Sequence, residues 1–253
     1  MGKDKLRKFA ENLTFECFVQ PAFEEMFRTD LPLKGNWRKD FFHNDNPIVL
    51  ELGCGKGEYA VGLARRFPEK NYIGVDIKGA RMWTGAKSAV KEGISNVAFL
   101  RTNIELITRF FEPGEVSEIW ITFPDPQMKK VRKRLTSTRF LDLYRQVLVA
   151  DGLVHLKTDS PFLYTYTQAM VKENNYPLLV DTNDLYAAEA TADIDEARSL
   201  QTHYEHQWLD RGMTIKYLRW ELNHCENLIE PDIDIEKDTY RSYGRNYVST
   251  TNN

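Results

Sequence analysis

The sequence contains few cysteines and no long apolar segment. Its three cysteines, Cys17, Cys54 and Cys225, are odd in number and widely spaced, which suggests neither a disulfide framework nor a zinc site. No apolar run approaches the roughly 18 residues that a membrane-spanning helix needs, and the basic, polar start lacks the apolar core of a signal peptide. We therefore expect a cytoplasmic protein that carries no metal and no membrane anchor.

The sequence also lacks a strong overall charge. Its 34 Lys and Arg residues and 37 Asp and Glu residues leave a formal net charge of -3, which gives no general preference for nucleic acid. The apolar fraction of 42% and the charged fraction of 28% exclude only the disordered and fibrous classes. Evidence for a function must therefore come from local motifs.

The most informative motif is the glycine-rich stretch Ile48–Tyr59, IVLELGCGKGEY. An apolar run ends at Glu51, glycines follow at alternate positions, and a helix-like apolar pattern comes next, so the stretch predicts a strand, a tight turn and a helix. Glycines at such a turn permit positive φ and let backbone N–H groups approach a ligand closely. We predict a nucleotide-type cofactor site that includes Glu51, Gly53 and Gly55.

The charge at this turn indicates the cofactor. A dinucleotide fingerprint is spaced G-x-G-x-x-G and brings a pyrophosphate to a helix N-terminus, whereas the spacing here is G-x-G-x-G. The carboxylates of Glu51 and Glu58 would repel a pyrophosphate but suit the ammonium and sulfonium groups of S-adenosylmethionine. The motif therefore favours a methyltransferase, with a turn that binds no ligand as the alternative.

Polar residues follow the next two predicted strands. Asp76 ends the strand Asn71–Asp76, where a carboxylate can hold the hydroxyls of an adenosine ribose. Asn103 follows the strand 97–100. We expect it on the same rim as Asp76, which is the edge of the sheet where the parallel strands have their carboxyl ends, and there it can hydrogen-bond to the adenine edge. Both residue types are also common in helix caps and turns, which is the alternative role.

A proline-flanked acid ends the fourth predicted strand, 117–123. Because Pro124 and Pro126 stiffen the chain, Asp125 is presented on a rigid loop that suits an active site. Five basic residues follow within six positions, at the end of the strand that faces the cofactor crevice. Such density favours a phosphate-bearing polymer, while a solvated charge run is the alternative. The basic residues are Lys129, Lys130, Arg132, Lys133 and Arg134.

The later segments complete a seven-stranded α/β pattern. The fifth strand, 153–157, closes at Thr158 and Asp159, and the sixth and seventh cover 176–180 and 215–222. A polar insertion between them contains Thr202–Glu205, which we predict to be a loop that returns to the same rim. We divide the chain into a basic and aromatic N-terminal extension (1–47), a catalytic domain (48–222) and a peripheral acidic tail (223–253).

Together these motifs resemble the bacterial tRNA (guanine-N7)-methyltransferase family, a class I, S-adenosylmethionine-dependent family. The resemblance implies a Rossmann-like seven-stranded methyltransferase sheet, mostly parallel with an antiparallel last strand and with helices on both faces. It also implies methylation of guanine N7 at position 46 of tRNA by a monomer, with an oligomer left open. Its most specific marks are Glu51–Gly57, Phe123–Pro126 with the basic loop, Lys157–Asp159, Thr202–Glu205 and Arg211–Gly212.

The resemblance also implies roles for individual residues, and we predict that Asp125 is the catalytic residue, between cofactor and base. One departure is that Gln127 and Met128 stand where the family loop has Trp followed by Pro or His, and the basic run is shorter. A small-molecule methyltransferase and a noncatalytic RNA-binding protein are the alternative functions. The cofactor side comprises Glu51, Gly53, Gly55, Asp76, Asn103 and Asp125; the substrate side Lys129, Asp159, Thr202, His203, Tyr204 and Glu205; and the RNA-contact loop Lys130, Arg132, Lys133 and Arg134.

Overall fold

An eight-stranded sheet forms the centre of the protein, in a computed structural model that describes residues 2–22, 24, 27–222 and 227–239. The order across the sheet is β1-β4-β3-β2-β5-β6-β8-β7. Neighbouring strands from β1 to β6 pair in parallel, whereas β8 is antiparallel to both β6 and β7. The strands are β1 (Phe18–Val19), β2 (Ile48–Leu52), β3 (Asn71–Asp76), β4 (Val97–Arg101), β5 (Val116–Thr122), β6 (Leu148–Thr158), β7 (Leu178–Thr182) and β8 (Lys216–Glu221).

Helices cover both faces of this sheet. Two shorter 3-10 turns, Ile104–Arg109 and Val131–Lys133, and a π-helical turn, Trp37–Phe42, lie between the longer elements. The α-helices are α1 (Gly2–Asn12), α2 (Glu58–Arg66), α3 (Gly79–Glu92), α4 (Thr138–Tyr144), α5 (Pro161–Glu173), α6 (Ala192–Arg198) and α7 (His203–Leu209).

The two faces of the sheet bury separate apolar clusters. Strand β2 is buried along its whole length, as expected for a central parallel strand that is covered on both sides. Its alternate side chains divide between the faces because successive strand residues point in opposite directions. Leu50 and Leu52 join the cluster beneath α4 and α5, and Val49 joins the cluster beneath α2, α3 and α6.

The predicted α/β class, the mostly parallel sheet and the antiparallel last strand are confirmed. The strand count differs by one, because the two-residue strand β1 pairs with the edge of β4 inside the predicted N-terminal extension. Two residues carry no detectable period-two pattern, so this strand has no sequence signal. Strand β6 also begins earlier than predicted, at Leu148, because Asp151 takes a positive φ of 59° within the strand instead of ending it.

Two further sequence predictions need correction. The polar insertion folds into helices α6 and α7, so Thr202–Glu205 begins a helix and does not form a loop. The acidic tail is not peripheral as far as it is described, because Asp238 is buried and Glu230 forms hydrogen bonds with Thr138 and Tyr166. Cys225 and residues 240–253 lie outside the described residues, while Cys17 and Cys54 are free thiols.

Two kinds of feature are absent from the described ranges. No described helix is both long enough and apolar enough to cross a membrane. The His, Cys, Asp and Glu side chains of the same residues form no group of three or more that could hold a metal ion.

Gly57 in the glycine turn and Gly93 after α3 both have positive φ, 71° and 68°, but they differ in their surroundings. A Cβ at Gly57 would lie 2.3 Å from Cε1 of the buried Phe99, whereas a Cβ at Gly93 meets no atom within 4 Å. We expect Gly93→Ala to lower the free energy of unfolding by about 1–2 kcal/mol through left-handed strain alone. Gly57→Ala should cost about 1–3 kcal/mol more, because the core must also move.

Urea denaturation of both variants checks this difference. Gly93→Ala is the matched control, because it introduces the same side chain at nearly the same φ. Equal losses of stability in the two variants would show that the turn does not depend on the close approach of Gly57 to Phe99.

Candidate active site

The carboxyl ends of four parallel strands open into one cavity of about 540 Å³. Strand β2 contributes Glu51 and the glycine turn, β3 contributes Asp76, and β5 and β6 are followed by Asp125 and Asp159. An adjoining cavity of about 220 Å³ shares Gly53 and Asp76 and adds Asn103. The structure therefore brings together these predicted site residues: Glu51, Gly53, Gly55, Asp76, Asn103, Asp125, Asp159, Thr202 and Tyr204.

The glycine turn is fixed by hydrogen bonds to β3. The N–H groups of Gly53 and Cys54 donate to the Val75 carbonyl at 2.8 and 3.1 Å. The carboxylate of Asp76 then accepts from the Gly55 N–H at 3.0 Å and from the Lys78 N–H at 2.8 Å. Both Asp76 oxygens are thus oriented by backbone donors at the boundary between the two cavities.

Glu51 is a carboxyl group buried beneath the turn, with 4% of the residue exposed. One oxygen accepts from the Ala60 N–H at 2.9 Å and the other from the Thr122 hydroxyl at 2.8 Å. Burial raises the pKa of Glu51 to about 8, against the opposing effect of the two hydrogen bonds, and the nearby charges of Asp76 and Glu58 add smaller increases. A cation in the cavity would favour the ionised form of Glu51 and would be favoured by it.

The loop after β5 has a strained and well-defined backbone. Phe123 and Gln127 take positive φ values of 48° and 47°, which are uncommon for residues with a side chain and recur at functional sites. The Phe123 N–H donates to the Lys157 carbonyl at 2.8 Å, and the Asp125 carboxylate accepts from the Gln127 N–H at 3.0 Å. The exposed Asp125 side chain is thereby held at the cavity wall.

Helix α7 places Thr202 and Tyr204 at the opposite wall. Thr202 and Glu205 form a capping box, in which each side chain accepts a hydrogen bond from the backbone N–H of the other residue. The N–H of His203 donates to the Glu58 carboxylate at 3.0 Å. The start of α7 is thus attached directly to the start of α2, beside the glycine turn.

Glu205 lies away from the cavity, in contrast to the substrate role predicted from the resemblance. Its carboxylate is fully buried, accepts from the Tyr186 hydroxyl at 2.7 Å and forms an ion pair with the Lys157 Nζ at 2.8 Å. Burial lowers the pKa of Lys157, and the charge of Glu205 opposes this effect. Because Glu205 is fully buried and paired with Lys157, it holds α7 against β6. His203 is exposed, but its side chain does not line the cavity.

The basic loop divides into exposed and buried side chains. Lys129, Lys130, Arg132 and Lys133 are exposed, and Lys133 reaches both cavities. The prediction that Arg134 contacts RNA is wrong, because the residue is only 5% exposed. Its guanidinium lies 4.8 and 4.3 Å from the rings of Phe162 and Tyr166 and donates to the carbonyls of Gln127 and Met128.

Sequence reasoning missed some cavity residues. Thr122 bonds to Glu51 and immediately precedes the Phe-Pro-Asp-Pro motif, so its position at the strand end was a usable signal. Trp208 lines the cavity four residues after Tyr204, which is the spacing of one helix face. That signal was lost because the segment was predicted as a loop.

The chain is similar in sequence to proteins that are named as methyltransferases. Residues 45–218 match the family described as "Putative methyltransferase". The chain is 64% identical to a tRNA (guanine-N(7)-)-methyltransferase from Porphyromonas gingivalis, over 85% of this chain and 87% of that protein. It is 56% identical to the protein of that name from Bacteroides fragilis, over 97% of this chain and 96% of that protein. The chain belongs to the tRNA (guanine-N(7)-)-methyltransferase family.

A solved structure shows the same fold at low identity. A variant of the 16S rRNA (adenine(1408)-N(1))-methyltransferase from Catenulisporales acidiphilia, solved with the cosubstrate SAM, aligns with a TM-score of 0.53 and 17% identity. The alignment covers 79% of this chain and 96% of that chain. At this identity the likeness extends to the fold alone.

The raised pKa of Glu51 predicts how stability depends on pH. Above pH 4.5 the unfolded state loses its Glu51 proton, while the folded state retains it up to a pKa of about 8. The unfolding free energy should therefore fall by about 1.4 kcal/mol per pH unit across this window through Glu51 alone. This contribution is fully present below pH 4.5 and is lost as the pH rises to about 8.

Urea denaturation at several pH values from 5 to 8 measures the effect. The variant Glu51→Gln cannot ionise, so its stability should rise relative to that of the original chain as the pH increases. Glu69→Gln, which removes an exposed carboxylate after α2, is the control and should leave the slope unchanged. Parallel curves for Glu51→Gln and the original chain would contradict the burial argument.

Proposed function

We propose that this protein transfers the methyl group of S-adenosylmethionine to N7 of the guanine at position 46 of tRNA. The observation that carries the proposal is the single cavity that joins the glycine turn, Asp125, Asp159 and the start of α7, with the exposed lysines at its edge. Two relatives, 56% and 64% identical, are named tRNA (guanine-N(7)-)-methyltransferase.

The residues of the glycine turn fit the proposed methyl donor. Glu51 is a buried carboxyl group that accepts hydrogen bonds from an uncharged N–H and a hydroxyl, and the two oxygens of Asp76 accept from backbone N–H groups. When bound, S-adenosylmethionine supplies an electrophilic methyl group on a cationic sulfonium. Glu51 would favour the cationic end, and Asp76 and Asn103 would hold the adenosine end with the backbone of Gly53 and Gly55 between them.

The guanine that accepts the methyl group must be positioned and its positive charge stabilised, but the reaction needs no strong base. The N7 of guanine carries a lone pair and need not lose a proton before it forms the new bond, so alignment can supply most of the acceleration. Alkylated guanine is cationic, and the Asp125 carboxylate is placed to stabilise that charge or to accept hydrogen bonds from guanine N1 and N2. Asp159, Thr202 and Tyr204 complete the walls around the base.

tRNA recognition would depend on phosphate contacts and shape. The overall charge of -3 gives little attraction, but Lys129, Lys130, Arg132 and Lys133 form an exposed basic surface beside the cavity. Phosphate contacts of this kind release counterions and make affinity fall with salt. The basic residues near the N-terminus offer less, because Arg7 and Lys8 already form ion pairs with Asp4.

The catalytic assignment predicts the effect of Asp125→Asn. Removing one preorganised charge from the reacting centre should lower kcat on unmodified tRNA by about 100-fold, with little change in the affinity for S-adenosylmethionine. Asp151→Asn is the control, because Asp151 is an exposed residue with positive φ within β6 that Asn also tolerates. Full turnover and full tRNA affinity in Asp125→Asn would exclude the role.

A second test separates an RNA enzyme from a small-molecule methyltransferase. The protein should methylate unmodified tRNA and not free guanosine, and replacing Lys129, Lys130 and Arg132 by Ala should flatten the dependence of log affinity on log salt by about 0.7–0.9 per residue. The control replaces the exposed Lys39, Lys91 and Lys172. Equal activity on guanosine would favour the small-molecule function. Calorimetry that detects no binding of S-adenosylmethionine would favour a noncatalytic RNA-binding protein.

A further inference from the structure

The segment Asn227–Thr239 lies along helix α5 and outside residues 45–218, which match the family. At the C-terminal end of α5, the side chain of Asn174 exchanges two hydrogen bonds with the backbone of Ile229, at 2.8 and 2.7 Å. Further along, Glu230 accepts from the hydroxyls of Tyr166 and Thr138. The segment therefore follows α5 from its C-terminal end towards its N-terminus.

Asp238 attaches the segment at that N-terminus. The residue is 7% exposed, and its carboxylate accepts from the Ser160 hydroxyl and from the Phe162 N–H, the latter at 3.0 Å. Ser160 is itself the N-cap of α5 and accepts from the Leu163 N–H at 3.0 Å. An anion at this position satisfies free N–H groups and lies at the favourable end of the helix dipole. Asp238 thereby fixes the backbone on either side of it.

The fixed residues form one wall of a cavity of about 370 Å³. Lys237 and Thr239 lie on this wall, and Lys129 and Lys130 lie on the other, with Asp125 between them and the main cavity. None of the three lysines forms an ion pair with any residue that the structure describes. The Asp238 carboxylate accepts from Ser160 and Phe162, and one Asp125 oxygen accepts from the Gln127 N–H. Three lysines without a described ion pair therefore line the cavity together with these two carboxylates.

We propose that Lys237 is a further tRNA contact, which binds a backbone phosphate together with Lys129 and Lys130, and that Asp238 is the positioning residue that holds it there. The inference rests on the proposed function, because the polyanion is the tRNA whose guanine enters the main cavity. The positive charges of the three lysines complement the phosphates of tRNA. The two cavities are also continuous, since Asp125 and Gln127 line both of them. The segment predicted to be a peripheral tail is then part of the substrate site.

A double-mutant cycle in the full chain tests the inference through tRNA affinity measured over a range of salt concentrations. Lys237→Ala should weaken tRNA binding by about three- to fivefold, the scale of one screened ion pair, and reduce the salt slope by about 0.7–0.9. Asp238→Ala should have a similar effect, and the double variant should be no weaker than Asp238→Ala, because Asp238 acts through Lys237. The affinity for S-adenosylmethionine should not change.

Matched controls separate positioning from a purely structural role. Asp234→Ala removes an exposed carboxylate from the same segment, and Lys172→Ala removes an exposed lysine from α5; both should bind tRNA as the original chain does. Asp238→Asn keeps one acceptor for the Phe162 N–H and should recover part of the affinity. A helix cap without any role in binding would lower the melting temperature in Asp238→Ala and leave the salt slope unchanged, which would overturn the positioning role.

The outcomes also separate this inference from the proposed function. Unchanged affinity and salt slope in Lys237→Ala, with tight tRNA binding by the original chain, would overturn the inference alone. Failure of the original chain to bind or methylate tRNA would instead overturn the proposed function. Additive effects of the two substitutions would retain a contact for Lys237 but contradict its positioning by Asp238.

Discussion

The buried carboxyl group of Glu51 is the constraint on which the rest of the site depends. It joins the end of β2 to the start of α2 through the Ala60 N–H, and it joins β2 to β5 through the Thr122 hydroxyl. The glycine turn and the Pro-Asp-Pro loop therefore hold fixed positions relative to each other. Because burial raises the pKa of Glu51 to about 8, the same packing leaves a carboxyl group whose ionisation a cationic ligand would favour. The packing that fixes the turn thus also determines the ionisation of Glu51.

Other carboxylates connect the remaining walls in a similar way. Asp76 accepts from the Gly55 N–H and ties the turn to β3, while Glu58 accepts from the His203 N–H and ties α2 to α7. Glu205 holds α7 on β6 through Lys157, and Asp238 holds the C-terminal segment on α5. Each wall is positioned by an acid that accepts from a backbone N–H or pairs with a buried lysine. The acids that remain exposed to the cavity, above all Asp125, are available for a ligand.

The centre of the fold and the residues at the carboxyl ends of its strands could be predicted from the sequence, because both follow from local sequence patterns. The apolar runs of β2 to β5 and the polar residues at their ends carry their own signals, and parallel strands bring those polar residues to one edge of the sheet. The roles of Glu205, Arg134 and Asp238 could not be read in this way, because their partners are distant in sequence: Lys157 for Glu205, the rings of Phe162 and Tyr166 for Arg134, and Ser160 for Asp238. Thr202–Glu205 did carry the T-x-x-E signal of a capping box, so α7 was predictable in principle.

In the proposed function, a guanine of tRNA is methylated at N7 in the cavity beneath the Pro-Asp-Pro loop. Mass mapping of unmodified tRNA after incubation with the protein and S-adenosylmethionine tests it most directly. We predict a single added methyl group, on N7 of the guanine at position 46 in the variable loop. A methyl group on another base or another atom, or no methyl group despite binding of S-adenosylmethionine, would contradict it.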